Sequence, residues 1–199
     1  MAALGDLYIS GDIEADGRIP GVNSMVSFGL CVAGTYDGHT FVSRNPHDQT
    51  LYAELQPISD EWDPAALAVS GLSRSYLEAE GESPSRAMDR ATQWVTEVSA
   101  GYRPIFVGYP AVFDWMFLYW YWIRFTGSSP FGFSGARDIK TEFAVRSGIP
   151  IGRAVKRNMP VELLGKHPHT HHALDDAIGQ AELFINLMQW RAPSTVGSA

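Results

Sequence analysis

The chain of 199 residues has little cysteine, an excess of acid over base, and no long uninterrupted apolar run. Its single cysteine, Cys31, excludes an intrachain disulfide and a cysteine-based zinc site, and we interpret it as a small core residue. With 15 Lys and Arg against 22 Asp and Glu, the net charge of −7 argues against indiscriminate binding to phosphate backbones. Any nucleic-acid site must therefore be local.

The longest apolar stretch, 111–125, is interrupted by Asp114 and is shorter than the roughly 18 residues of a membrane span, so it predicts a buried helix and no membrane partner. The first residues show no basic segment followed by an apolar core, which predicts that no secretory signal is present. Together with the lone cysteine, this indicates a reducing cytoplasm.

One segment departs from the acidic average. Residues 137–166 carry seven basic and three acidic side chains, a net charge of +4. A solvated helix face and loop would explain most of these charges, and a surface that guides a nucleic-acid strand is the sharper hypothesis.

Strand patterns dominate the first half of the chain and helix patterns the second, which predicts an α/β fold with a mixed sheet covered by helices. We expect one domain over 1–191, and a disordered tail over 192–199 because Pro, Ser, Thr and Gly are frequent there. The predicted strands are 7–13, 25–33, 51–55 and 104–107, with a further short one at 40–43, and the main predicted helices are 83–101, 110–126, 136–147 and 173–190.

Acidic residues stand where apolar ones are expected. Asp12 and Glu14 lie on one face of the first strand, where two carboxylates repel each other without a cation between them. Asp114 has only aromatic and apolar neighbours along the chain. Simpler interpretations remain open: a solvent-facing strand end for the first pair, and a carboxylate favoured by the helix dipole for Asp114.

A histidine-rich run precedes the last helix. The four histidines in 167–172 could suggest zinc, but a site rich in carboxylates favours the harder ions magnesium and manganese. Two acidic residues, Asp175 and Asp176, follow the run, and spacing alone leaves open whether His171 or His172 acts with either of them.

Three motifs in this order resemble those of the DEDDh 3′-to-5′ exonuclease superfamily. They are 12–14 at the end of the first strand, 113–114 near the start of a helix, and 171–177 entering the last helix. The resemblance implies a ribonuclease H-like fold, with a mixed five-stranded sheet flanked by helices. It also implies two divalent cations, Mg²⁺ or Mn²⁺, held by Asp12, Glu14, Asp114 and Asp176, with His171 as general base.

The resemblance further implies that the protein binds the 3′ end of single-stranded RNA or DNA. It would shorten the strand by releasing nucleoside 5′-monophosphates. RNA is favoured over DNA because a small stand-alone domain is similar to the RNA-trimming members. A homodimer is also implied. The candidate substrate contacts are Ala15 and Asp16 at the terminal 3′ hydroxyl, an apolar wedge among Val22, Met25 and Trp115, and the basic residues Arg137 and Lys140.

Two alternatives compete with this hypothesis. An endonuclease of the same broad fold would cut within RNA–DNA hybrids, although the His-to-Asp spacing and the Phe113-Asp114 pair disfavour it. A binding module that keeps the fold without catalysis would be favoured if an acidic ligand were missing, yet all four are present.

Overall fold

A computed structural model describes residues 4–191 of the protein. One mixed sheet lies at its centre. Strand β1 (Asp6–Ala15) pairs antiparallel with β2 (Met25–Tyr36) and parallel with β5 (Arg103–Gly108). Strand β6 (Ala136–Asp138) adds to β5 in parallel.

The outer edge of β2 carries two short strands in succession. Strand β3 (Phe41–Ser43) pairs with the second half of β2, and β4 (Thr50–Glu54) pairs with its first half. Six strands therefore form a sheet that is five strands wide, in the order β3-β2-β1-β5-β6 with β4 beside β2. The predicted mixed five-stranded sheet is confirmed, including the short strand expected at 40–43.

Alternate side chains of the central strands enter two core clusters, as the two-residue period of a strand requires. Leu7 and Ile9 pack with residues of α3 and α4, whereas Tyr8 and Cys31 pack with residues of α5 and α6. Cys31 is fully buried, as expected from the sequence. The helices are α1 (Pro64–Ser70), α2 (Arg74–Glu80), α3 (Pro84–Ser99), α4 (Ala111–Thr126), α5 (Ile139–Ser147) and α6 (Ala173–Gln189), with short 3₁₀ turns at 151–153, 156–158 and 161–163.

The predicted helix 136–147 was wrong in its first turn. Residues 136–138 form β6, and the helix begins only at Ile139 because the Asp138 side chain accepts a hydrogen bond from the Thr141 N–H at 2.6 Å. A three-residue strand is too short to show a period in the sequence. The predicted tail 192–199 lies outside the described residues, and within those residues we find no helix of sufficient length and apolarity to cross a membrane.

The topology brings several chain segments to one edge of the sheet. Since β1, β5 and β6 are parallel, their carboxyl ends share an edge, and α4 and α5 begin there. Helix α6 reaches the same place by lying directly on Gly29 of β2, the residue paired with Asp12. A Cβ atom on Gly29 would stand 2.4 Å from the Leu174 Cα atom, so glycine allows this close approach.

Candidate active site

Carboxylates from two separated elements meet at this edge. Asp12 and Glu14 project from the end of β1, and Asp176 projects from the first turn of α6. One carboxylate oxygen from each lies within 4.8 Å of the others. Asp176 is 5% exposed, whereas Asp12 and Glu14 are half-buried, so this meeting point lies partly open to solvent.

Asp114 adds a further carboxylate from the first turn of α4 and is 6% exposed. Burial raises its pKa, and the nearby backbone N–H of Ile13 offsets part of that rise. Since Ile13 lies between Asp12 and Glu14, Asp114 is placed against the end of β1. The structure thus brings together the four predicted acidic residues, which we call the carboxylate cluster.

The carboxylate cluster is poorly suited to full ionisation by itself. Burial raises the pKa of Asp12 well above its ordinary value, and the neighbouring charge of Asp114 adds to the effect. Burial and the Asp176 charge raise the pKa of Glu14 to about 7. A set of buried and half-buried oxygen donors with unfavourable mutual charge matches the requirements of hard divalent cations such as Mg²⁺ and Mn²⁺.

A histidine loop, 167–172, folds over Asp176. The backbone N–H groups of Thr170 and His171 each donate to the Asp176 carboxylate at 3.0 Å. His171 has a left-handed backbone, φ 59°, and an exposed side chain. One of its ring nitrogens is within 4.8 Å of an Asp176 oxygen, whereas the His172 ring stacks on Tyr52 with centroids 4.4 Å apart. His171 rather than His172 therefore accompanies Asp176.

Gln180 is a buried polar residue that our sequence reasoning missed. Its Nε2 atom donates to Asp12 Oδ1 at 2.6 Å, and its Oε1 atom accepts from the Tyr109 N–H at 2.5 Å. Gln180 thus joins the end of β1 to the turn that leads into α4. Its signal in the sequence was an amide one helical turn after Asp176, within the apolar stripe of the last helix.

Asp138 was also missed, because it was taken as part of a helix. Its Oδ2 atom accepts from the Ala111 N–H at 2.7 Å. Since Asp114 lies in the turn that begins at Ala111, this hydrogen bond holds the helix end that carries a member of the carboxylate cluster.

The predicted contacts at the β1–β2 connection point inward. Ala15 is 8% exposed, and Met25 is fully buried in the core. Asp16 is 1% exposed, accepts from the Ser24 N–H at 2.5 Å and lies 3.4 Å from Arg74. These side chains stabilise the connection, whereas Val22, the other apolar residue predicted there, is 43% exposed.

The remaining predicted contacts are dispersed. Trp115 packs against Phe106, with ring centroids 5.5 Å apart. Arg137 pairs with Glu142 and lies over the Tyr8 ring at 4.8 Å. Its guanidinium also meets the far end of α6, roughly 18 Å along the helix from the carboxylate cluster. Lys140 is partly buried in the first turn of α5, at the same sheet edge as the cluster.

A basic cleft opens beside the carboxylate cluster. It encloses about 300 Å³ and has Lys156, Arg157 and His167 in its wall, with Asp176 at one side. Lys156 and Arg157 are exposed and come from the basic segment that the sequence singled out. Of that segment, these residues rather than Arg137 adjoin the cluster.

Several known proteins are similar to this chain in sequence or in structure. No family model matches the sequence. The 3′-5′ DNA exonuclease Cap18 of Escherichia coli is 36% identical over 183 residues, which cover 90% of each chain. The nuclease domain of 3′hExo bound to rAMP, described as a DEDDh family member, has a TM-score of 0.66 at 13% identity over 95% of this chain and 94% of that one. E. coli exonuclease I with a dT13 oligonucleotide has a TM-score of 0.63 at 14% identity over 94% of this chain, which spans only 41% of exonuclease I.

Proposed function

This chain belongs to the DEDDh 3′-to-5′ exonuclease superfamily, and from that premise we propose that it removes nucleotides from the 3′ end of single-stranded DNA at the carboxylate cluster. The observation that carries the proposal is that carboxylates of three separated motifs lie together at the carboxyl end of β1. DNA is proposed because the relative that shares 36% of its residues is named a DNA exonuclease. The preference for RNA, which the sequence favoured, stays a prediction, and a comparison of DNA and RNA as substrates decides it.

We propose that Asp12, Glu14, Asp114 and Asp176 hold two divalent cations, Mg²⁺ or Mn²⁺. The raised pKa values of Asp12 and Glu14 support this, because a cation removes the repulsion that burial makes costly. When bound, such ions acidify the attacking water and stabilise the charge on the departing 3′ oxygen.

We assign His171 the role of general base, which takes the proton of the attacking water. Histidine is the side chain that most often serves as a general base, and the exposed ring of His171 is open to solvent and substrate. Asp176 fixes the loop through the backbone N–H of His171. Gln180 orients Asp12, and Asp138 holds the turn that carries Asp114.

The basic cleft supports a path for the strand. Lys156 and Arg157 would contact backbone phosphates, which position a strand without reading its sequence. We further propose that residues 1–191 form one exonuclease domain, since the match to the relative covers 90% of both chains. The homodimer and the cytoplasmic location stay predictions, and light scattering in solution would decide the first.

The test uses 5′-labelled single-stranded DNA and RNA of equal sequence, with Mg²⁺, Mn²⁺ or a chelator. We expect a ladder that shortens from the 3′ end of DNA, requires the metal and releases nucleoside 5′-monophosphates. Faster shortening of RNA would move the assignment to that polymer. An RNA–DNA hybrid of the same sequence is tested alongside, and internal cuts in that hybrid would favour the endonuclease. Intact substrate in every lane would favour the binding module.

Asp114→Asn tests the site itself. We expect a loss of at least about 100-fold in rate with the fold retained, since even an outer partner of a metal ligand is worth up to that factor. Asp89→Asn makes the same change on the exposed face of α3 and should keep full activity. An Asp114→Asn enzyme as active as Asp89→Asn would refute the assignment.

A further inference from the structure

The histidine loop contains a second set of metal-binding atoms. His169 Nδ1 lies 2.8 Å from Asp176 Oδ1, and the rings of His169 and His171 have centroids 4.3 Å apart. One ligand atom from each of the three residues lies within 4.8 Å of the others. We propose that His169, His171 and Asp176 form an inhibitory site for zinc.

The donor set distinguishes this site from the carboxylate cluster. Two imidazoles and one carboxylate, with a fourth position open, form a common ligand set for Zn²⁺. Imidazole ligands favour Zn²⁺ over Mg²⁺ and Mn²⁺, which prefer oxygen. The sequence alone favoured hard cations because the site is rich in carboxylates, and it does not show which histidines face Asp176.

The loop conformation separates its histidines. Asp176 accepts hydrogen bonds from the backbone N–H groups of Thr170 and His171. These bonds hold the loop so that the rings of His169 and His171 both lie near the Asp176 carboxylate. The other two histidines of the loop face elsewhere. His167 lies 3.6 Å from Asp175, and His172 stacks on Tyr52.

The site is accessible from solvent. The His169 side chain is 55% exposed, and His171 is also exposed, so an ion can enter without opening the core. A zinc ion bound here would occupy His171 and Asp176 together. Inhibition of hydrolysis therefore rests on the proposed function, whereas zinc binding itself does not.

The first measurement is binding. In saturating Mg²⁺, competition with a chromophoric chelator gives the zinc affinity, and Co²⁺ as a substitute reports its coordination by visible absorption. We expect His169→Ala to weaken zinc binding by at least about tenfold, because the loss of even an outer partner of a metal ligand costs that much. His172→Ala removes a histidine of the same loop outside the site and should leave the affinity unchanged.

The second measurement is hydrolysis at fixed Mg²⁺ with increasing zinc. We expect inhibition of the wild-type protein, and His169→Ala should need about ten times more zinc for half inhibition, with each protein compared with its own rate without zinc. Unchanged zinc affinity in His169→Ala would overturn the proposal. So would loss of zinc binding in Asp12→Asn, which would place the ion in the carboxylate cluster. If no hydrolysis is found at all, the binding assay still decides the zinc site.

Discussion

At the scale of single residues, the carboxylate cluster works against the stability of the metal-free fold. Burial raises the pKa of Asp12 and Asp114, and it raises that of Glu14 to about 7. Apolar residues at these positions would avoid this cost. The proposed divalent cations would offset this cost.

This cost predicts how stability depends on pH. Between the ordinary Glu14 pKa of 4.5 and its folded value of about 7, the folded state binds more protons than the unfolded state. The free energy of unfolding of the chelated protein should therefore fall as pH rises through this window. Thermal unfolding in EDTA measures the fall, Glu14→Gln should reduce it, and Mg²⁺ should raise the melting temperature more at pH 8 than at pH 5. A melting temperature that rises across the window would contradict the prediction.

At the scale of elements, the cluster depends on the distance between α6 and the sheet. Gly29 faces Asp12 across the β1–β2 pair, and the backbone of Leu174 occupies the space that a side chain on Gly29 would need. Asp176 is two residues further along the same helix turn. The position of Asp176 relative to β1 is thus set by a glycine that performs no chemistry.

Gly29→Ala should therefore act on stability and catalysis together. Its Cβ atom would stand 2.4 Å from Leu174 backbone atoms, which have no rotamer to move aside. We expect a loss of about 1–3 kcal/mol in the free energy of unfolding and a reduced rate, because α6 must shift. Gly152→Ala is the matched control, since nothing lies within 4 Å of its Cβ position. Denaturant unfolding and the DNA assay measure both effects, and a Gly29→Ala protein that matches Gly152→Ala would refute the role.

The sequence predicted most of the helices and strands but not the contacts that support the site. Long periodic elements such as α3, α4 and α6 were found within a few residues of their observed ends. Strand β6 was missed because its three residues pair with β5, a partner the local pattern does not show. Gln180 was missed for a related reason: its two hydrogen bonds go to residues far away in the chain. Local patterns predict elements and motif residues, whereas supporting contacts depend on tertiary structure.

At the scale of the whole molecule, charge is distributed unevenly. The chain carries a net charge of −7, yet Lys156 and Arg157 are exposed beside the carboxylate cluster. An acidic protein repels nucleic acid over most of its surface, so binding energy from phosphates must come from local contacts. Binding to the basic cleft should then depend strongly on salt.

The paired change Lys156→Ala and Arg157→Ala tests that inference, in the Asp114→Asn background so that the strand is not degraded. Log affinity falls with log salt, and each lost phosphate contact on a single strand makes that negative slope shallower by about 0.7. The paired change should therefore make it shallower by about 1.4. Arg103→Ala removes an exposed charge at the start of β5, the sheet edge opposite the cluster, and should leave the slope unchanged. Fluorescence anisotropy of labelled single-stranded DNA at several salt concentrations gives the slopes. Equal slopes for the paired variant and Arg103→Ala would mean that the strand follows another path, because a cation that meets no phosphate contributes nothing to counterion release.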